Sequence, residues 1–325
     1  MLELVFEGQP WRMEPHNSLL ESLLAAGIEV PFGCCSGACR SCLLRCLAGS
    51  IPPEAQRGLQ DSQIRAGLFL ACQCPPLDHL VLARPGQFLK KHLSEVLALE
   101  RLSPSIIAVH LERPAGFDYR AGQFLKLFHP QSGHRSYSLA SVPELDAELI
   151  LNVRKIPDGH LSSWIHQDLR VGERVTITEA LGECCYTEGQ PDQPLLLIGT
   201  GSGLAPLIGI VRDALRRGHQ GPMDLYHGGR RSEDLYLVRT LRALETVHPQ
   251  FHYHPCLSAE SNNSDGGIES GRASDLALAA HPSLEAHQVF LCGQPDMVRQ
   301  TQVQAFLKGA SLSAIKADPF EAQSN

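Results

Sequence analysis

The stretch CCSGACRSC, residues 34 to 42, puts four cysteines into nine positions. So many thiols in so short a loop leave few arrangements open. The segment wraps a metal or a cluster, closes a disulfide, or buries small apolar side chains. Cys34, Cys39 and Cys42 are spaced C-x4-C-x2-C, which lets three thiolates converge on a compact [2Fe-2S] cluster from one tight loop. Gly33, Ser36, Gly37 and Ala38 are small, so backbone amides can approach the sulfurs and donate hydrogen bonds. A fourth ligand must come from elsewhere, and Cys72 in FLACQC (69–74) is the candidate. Within this reading Cys35 could replace Cys34 and Cys74 could replace Cys72, but only Cys34 gives the four-residue gap. A zinc site more often shows two separate C-x2-C pairs, and here Cys72 and Cys74 form C-x-C.

Length and charge bound the rest. A chain of 325 residues, 43% hydrophobic, is long enough for two or three domains with separate cores. Its net charge of −7 is spread along the sequence, which argues against a nucleic-acid or acidic-membrane partner. MLELVFEGQP lacks the basic start and apolar stretch of a signal peptide. Apolar runs such as LLLI (195–198) are too short to span a bilayer. The expectation is a cytoplasmic protein, in which thiols stay reduced. Eleven cysteines in such a chain point to metal or redox chemistry before disulfides.

Pro/Gly-punctuated breaks at ARPGQF (83–88) and EGQPDQP (188–194) divide the chain into domains over 1–86, 91–190 and 191–325. In the first, Leu2, Leu4 and Phe6 alternate as a strand, and Ser18 caps a helix carrying Leu19, Leu20, Leu23 and Leu24 up to Gly27. The second has short alternating runs, SIIAVHLER, GQFLKLF, ELILNVRK and ERVTITEAL, which predict an antiparallel β-barrel. The third alternates apolar strands (PLLLIG, MDLYHGG, FHYHPCLS, QVFLCG) with helical stretches, the pattern of an α/β domain with a parallel sheet.

Two motifs in the second domain suit a flavin. RSYSLAS (135–141) offers a cation for phosphate in Arg135, a flat aromatic ring in Tyr137 and a hydroxyl in Ser138. DGHLSSWI (158–165) opens a helix with G-x-x-S at Gly159 and Ser162, a ready anion site. In the third domain, LLLIGTGSGLAPLIGIV (195–211) reads as strand, glycine turn and helix. Gly199, Gly201 and Gly203 let the backbone approach a pyrophosphate, with Thr200 between them and Pro206 in the first helical turn. It departs from a strict G-x-G-x-x-G, because Leu204 takes the last position. FLCGQPDMV (290–298) ends a strand at Cys292 and Gly293. YHGGRRSEDLY (226–236) puts Arg230, Arg231 and Ser232 where an adenosine ribose should lie, able to hold a 2′-phosphate or to stand as solvated charge. HPQFHYH (248–254) puts His252 and His254 on one strand face, with no nearby carboxylate or cysteine in sequence to complete a metal site, so a strand surface is expected.

These motifs carry a family resemblance. PFGCCSGACRSC and LACQ are similar to the plant-type ferredoxin patterns P-[YF]-x-C-x-x-G-x-C-x-x-C and L-x-C-Q. The resemblance implies a β-grasp fold with the [2Fe-2S] cluster on Cys34, Cys39, Cys42 and Cys72, while Cys35, Cys46 and Cys74 read as small buried hydrophobes. RSYS, G-x-x-S, G-x-G-x-G-x-A-P and C-G-x-P together resemble the ferredoxin–NADP+ reductase superfamily. That resemblance implies FAD, with Arg135 on its pyrophosphate, Tyr137 packed on the ring and Ser138 near N5. Gly159, His160, Leu161 and Ser162 would meet phosphate through amides or the hydroxyl, and Cys292 and Gly293 would lie beside the nicotinamide. A tail aromatic, Phe320 in IKADPFEAQSN, would shield the flavin or plug the core. The order of three domains resembles reductase components of bacterial multicomponent mono- or dioxygenases. The implied activity is an NAD(P)H:acceptor oxidoreductase passing electrons through FAD and the cluster to a partner oxygenase, with NADH favoured and NADPH possible. A reductase serving a deoxysugar-forming dehydratase, or a redox sensor without turnover, are the alternatives.

Overall fold

The computed structural model describes residues 1–37, 39–59, 61–86, 89–187, 190–259 and 267–320. Ala38, and Gln87, Phe88, Glu188 and Gly189 of the two expected breaks, lie outside them, as do the last five residues. The chain forms two compact units, Met1–Leu89 and Lys90–Asn325.

The first unit is a five-stranded mixed sheet in the order Gln9–Met13, Leu2–Phe6, Leu80–Ala83, Leu43–Ala48, Leu68–Leu70. Glu7 and Gly8 take φ of 52° and 82°, the left-handed pair that matches a tight hairpin to strand twist. The expected helix runs over Leu19–Ala25, with Ser18 Oγ accepting from the Glu21 amide at 3.2 Å. Leu19, Leu20 and Leu23 are buried against the sheet. The antiparallel register pairs Leu43 with Leu70. It thereby sets Cys42 beside the turn Ala71–Gln73, and the Ala71 amide donates to the Cys42 carbonyl at 3.1 Å.

The second unit holds two sheets. Six antiparallel strands come in the order Glu148–Arg154, Ile106–Glu112, Lys91–Arg101, Arg174–Thr178, Phe124–Phe128, His134–Ser138. A bridge between Leu139 and Leu151 joins the two edges, so the sheet closes as a barrel. Its interior is the alternate set Leu149, Leu151, Val153, Leu125, Leu127 and Ile177. The parallel sheet has the order Glu269–Ser270, Phe251–Leu257, Met223–Gly229, Leu195–Thr200, Gln288–Gly293, Ile315–Pro319. Leu195–Ile198 is apolar on every residue because helices cover both faces. The chain moves outward from Leu195–Thr200 on one side, then returns to build the other. This makes a topological switch point at the carboxyl ends of Leu195–Thr200 and Gln288–Gly293, where α/β sheets place ligands. Among the described residues no helix is long and apolar enough to cross a membrane.

Candidate functional site

The cysteine loop brings its thiols together as two pairs. The Cys39 amide donates to Cys34 Sγ at 3.2 Å, the Ser36 amide to the same sulfur at 3.4 Å, and the Cys34 amide to Cys39 Sγ at 3.4 Å. The Ser36 side chain and these amides hold the Cys34 thiol down at about 6. Cys39 is likewise lowered, chiefly by the Cys34 amide. Cys42 and Cys72 hydrogen-bond to each other, and burial pushes Cys42 up to about 11. The loop reaches this shape through left-handed residues at Cys35, Gly37 and Arg40 (φ 51°, 83° and 58°). Gly33 has no room for a side chain larger than hydrogen without crowding, since a Cβ there would stand 3.3 Å from Cys39 Sγ. Cys74, the alternative to Cys72, is buried away from the loop, and burial pushes it up to about 12. Cys35 does not behave as a small buried hydrophobe. It is exposed, like Cys34 and Cys39, and Cys46 is only half-buried.

In the barrel, Arg135 and Tyr137 lie on one strand opposite Leu127 and Leu125. The Tyr137 hydroxyl is pushed upward by burial, with Arg135 opposing. Ser138 Oγ donates to Asp318 Oδ2 at 2.6 Å, and burial raises that carboxyl while the Ser138 bond opposes it. Asp318 sits in register with Cys292 on the neighbouring strand. Cys292 is fully buried, 3.6 Å from Cys184 Sγ, and raised by burial, which suits a packed thiol and no nucleophile. The Phe320 amide donates to the Gly293 carbonyl at 2.8 Å, so the tail runs beside the Cys292–Gly293 turn. Ser138, Cys292 and Phe320 thus come from three distant segments to one place. Asp318, which completes the group, carries no motif that sequence could single out.

The helix His160–Gln167 starts at Gly159. Ser162 Oγ accepts from the Ile156 amide at 3.1 Å and donates to the Gly159 carbonyl at 3.2 Å. Its hydroxyl therefore shapes the loop, and the first-turn amides of His160, Leu161 and Ser162 are what remain for phosphate. A Cβ on Gly159 would stand 2.6 Å from Ser162 Oγ, so only glycine fits.

A cavity of about 450 Å³ opens at the switch point, lined by Thr200, Gly201, Gly228, Arg230, Arg272 and Gln294 among others. Gly203 packs its backbone on Cys292 and Gly293, and Arg154 reaches over Gly201. Thr200 Oγ1 accepts from the Gln294 amide at 3.2 Å and ties the two strand ends together. Sequence reasoning missed Arg154 and Arg272, which reach the cavity from outside the glycine turn. Arg230 and Arg231 are exposed, and their amides both donate to Asp234 Oδ2 at 3.0 Å.

His252 and His254 do have carboxylates nearby, contrary to expectation. His254 lies 2.7 Å from Glu269 and 3.2 Å from Asp224, and His252 lies 3.4 Å from Asp224. Asp224 stands on the adjacent strand, in register with His252, a neighbour that linear sequence hides. Among the described residues no three ligating side chains converge as one metal ion would require.

Three family models match in chain order. They are a 2Fe-2S iron-sulfur cluster binding domain over 6–77, an oxidoreductase FAD-binding domain over 95–186 and an oxidoreductase NAD-binding domain over 197–303. The aromatic O-demethylase reductase subunit of Amycolatopsis sp. is 35% identical over 310 residues, 90% of each chain. The reductase component of the naphthalene 1,2-dioxygenase system of Pseudomonas putida is 30% identical over 93% of each. Among solved structures, the Amycolatopsis cytochrome P450 reductase GcoB superposes with a TM-score of 0.69 at 30% identity, covering 98% of this chain and 99% of that one. The ferredoxin reductase in carbazole 1,9a-dioxygenase gives 0.65 at 26% identity, over 98% of both. The chain belongs to the ferredoxin–NAD(P)+ reductase family, as an oxidoreductase that joins a [2Fe-2S] domain, an FAD domain and an NAD domain.

Proposed function

We propose that this chain is the reductase component of a multicomponent oxygenase, delivering electrons from NADH to a terminal oxygenase in the cytoplasm. In this reading the domains run over 1–86, 91–190 and 191–325. The observation that carries it is the arrangement of four thiols as two pairs: Cys34 and Cys39 exchange amide-to-sulfur hydrogen bonds, and the Leu43–Leu70 register sets Cys42 beside the Ala71–Gln73 turn that carries Cys72. A mononuclear metal wants one convergent set, whereas two irons take two pairs of ligands. Amides already directed at the sulfurs of Cys34 and Cys39 favour thiolate before any iron arrives.

When bound, FAD accepts a hydride's electron pair and the cluster passes electrons on singly. The chain's residues do the rest. Arg135 meets the FAD pyrophosphate together with the first-turn amides of His160 to Ser162. Tyr137 packs on the flavin ring. Ser138, held by Asp318, would offer its hydroxyl to the flavin. Cys292, Gly293 and Phe320, whose backbones run side by side, would line the nicotinamide site. Gly199, Thr200, Gly201 and Gly203 cradle the dinucleotide phosphates. Asp234, on the cavity lining beside Arg230, supports NADH, since a carboxylate there suits a free ribose 2′-hydroxyl and repels a 2′-phosphate.

The oxygenase partner is supported by the relatives, whose names tie them to demethylase, dioxygenase and monooxygenase systems. The test pairs spectroscopy with turnover. Purified protein should carry flavin and about two irons with acid-labile sulfide per chain, and NADH should bleach both chromophores. Cys39→Ser should lose the cluster yet keep NADH-to-ferricyanide activity, and loss of flavin reduction in that variant would contradict separate modules. Steady turnover with a cytochrome P450, an aromatic dioxygenase or a monooxygenase component identifies the acceptor, and no turnover with any of the three refutes the oxygenase assignment.

A further inference from the structure

The side-chain amide of Gln73 lies where the two thiol pairs meet. Its Nε2 stands 3.1 Å from the Cys35 carbonyl oxygen, 3.3 Å from the Cys72 carbonyl oxygen and 3.5 Å from Cys72 Sγ. The Cys35 carbonyl and the Ser36 N–H belong to one planar peptide and point in opposite directions. Holding the carbonyl therefore aims the N–H, and that N–H reaches Cys34 Sγ at 3.4 Å. Cys35 has a φ of 51°, a left-handed conformation that costs a non-glycine residue roughly 1–2 kcal/mol. Something must hold this peptide in place, and the Gln73 amide does so. Gly37 makes the room: a Cβ there would stand 3.2 Å from Gln73 Cγ.

We propose that Gln73 is a positioning residue that sets the hydrogen bonding to sulfur on both thiol pairs, directly at Cys72 and through the Cys35–Ser36 peptide at Cys34, and so holds the cluster's reduction potential up. This rests on the assignment of Cys34, Cys39, Cys42 and Cys72 as ligands. The physical basis is charge. Reduction adds an electron to an already anionic group, and each N–H aimed at sulfur stabilises the reduced form more than the oxidised one. Removing the amide takes away one such donor and frees another to turn away.

The experiment uses the full chain with Gln73→Met, of similar length and without a donor, and Gln73→Glu. Iron and sulfide content, visible circular dichroism and the midpoint potentials of cluster and flavin are measured for each. The expected result is full iron content, a cluster potential shifted to more negative values in both variants, and an unmoved flavin potential. A cluster potential equal to wild type in iron-replete Gln73→Met overturns the proposal. Should Gln73→Met fail to hold iron, Gln73→Asn keeps every thiol and an uncharged amide but is one methylene shorter, which withdraws the donor from Cys35 and Cys72. A negative shift there supports the proposal and an unchanged potential overturns it. Loss of iron from every variant overturns a tuning role and makes Gln73 part of the scaffold that assembles the site. A wild-type chain that takes up no iron or sulfide refutes the ligand assignment itself, and iron analysis alone distinguishes that failure from the others.

Discussion

At Gly203 a single methyl group separates two opposite outcomes. Its φ of −62° and ψ of −12° lie in the helical region that alanine favours. Backbone entropy alone would have Gly203→Ala stabilise the fold by about 0.4–1 kcal/mol. Packing reverses the sign. An ideal Cβ would stand 2.3 Å from the Cys292 carbonyl oxygen, 2.6 Å from its carbon and 2.8 Å from Gly293 Cα. Carbon contacts are unstrained near ~3.5–4.0 Å, so the segments must part by about 1 Å. All three atoms are backbone, in a strand paired on both sides with Leu195–Thr200 and Ile315–Pro319. No side chain can swing aside, which puts the cost at the upper end of overpacking, about 3 kcal/mol. For a unit of this size each kcal/mol moves Tm by about 2–4 °C, so calorimetry should show a fall of about 6–12 °C. The same displacement moves Cys292 and Gly293, so NADH affinity should weaken while FAD and iron content hold. Gly218→Ala is the control. Its φ is 77° with nothing within 4 Å of a Cβ, so it costs only the left-handed strain, roughly 1–2 kcal/mol. A Tm for Gly203→Ala at or above wild type would refute this account of the turn.

Three further outcomes are expected. The Asp224 hydrogen bond raises His281, and at His254 burial opposes the bonds to Asp224 and Glu269 but is outweighed by them. Asp224 is held below its usual range, against burial, by those histidines. The histidine contribution to stability is whole below their unfolded pKa of about 6.5 and fades as pH rises through the higher folded values, while the Asp224 contribution persists above about 3.9. Urea midpoints should therefore decline above neutrality, and less steeply in Asp224→Asn; equal slopes would contradict the coupling. Arg135→Ala removes a charged contact of about 1.5–3 kcal/mol, so FAD affinity should fall about tenfold or more, and purification with full flavin would sink the Arg135 assignment. Asp234→Asn should raise kcat/KM for NADPH relative to NADH by about tenfold, a change of ~1.4 kcal/mol, and an unmoved ratio would show that Asp234 does not select the nucleotide.

Local rules explain what could be read in advance. The Ser18 cap with the leucines of Leu19–Ala25, the alternating barrel strands and the apolar Leu195–Ile198 each state their environment in a few neighbouring residues. The same holds for the C-x4-C-x2-C spacing, because the ligands of one loop are fixed by the length of chain between them. Pairing across strands is different. Which of Cys72 and Cys74 meets Cys42 was settled by the register of Leu43 with Leu70, and the surroundings of His252 by the register that sets Asp224 beside it.

By itself the sequence determined three modules, their order and the residue types available to each cofactor, since hydrophobic period and motif spacing are local properties. Only the tertiary structure decided that Asp318 grips Ser138, that Gln73 spans the two thiol pairs and that Asp234 takes the Arg230 and Arg231 amides. Hydrogen bonds act over about 3 Å in space, and separation along the chain places no constraint on which groups come that close once the sheets have formed.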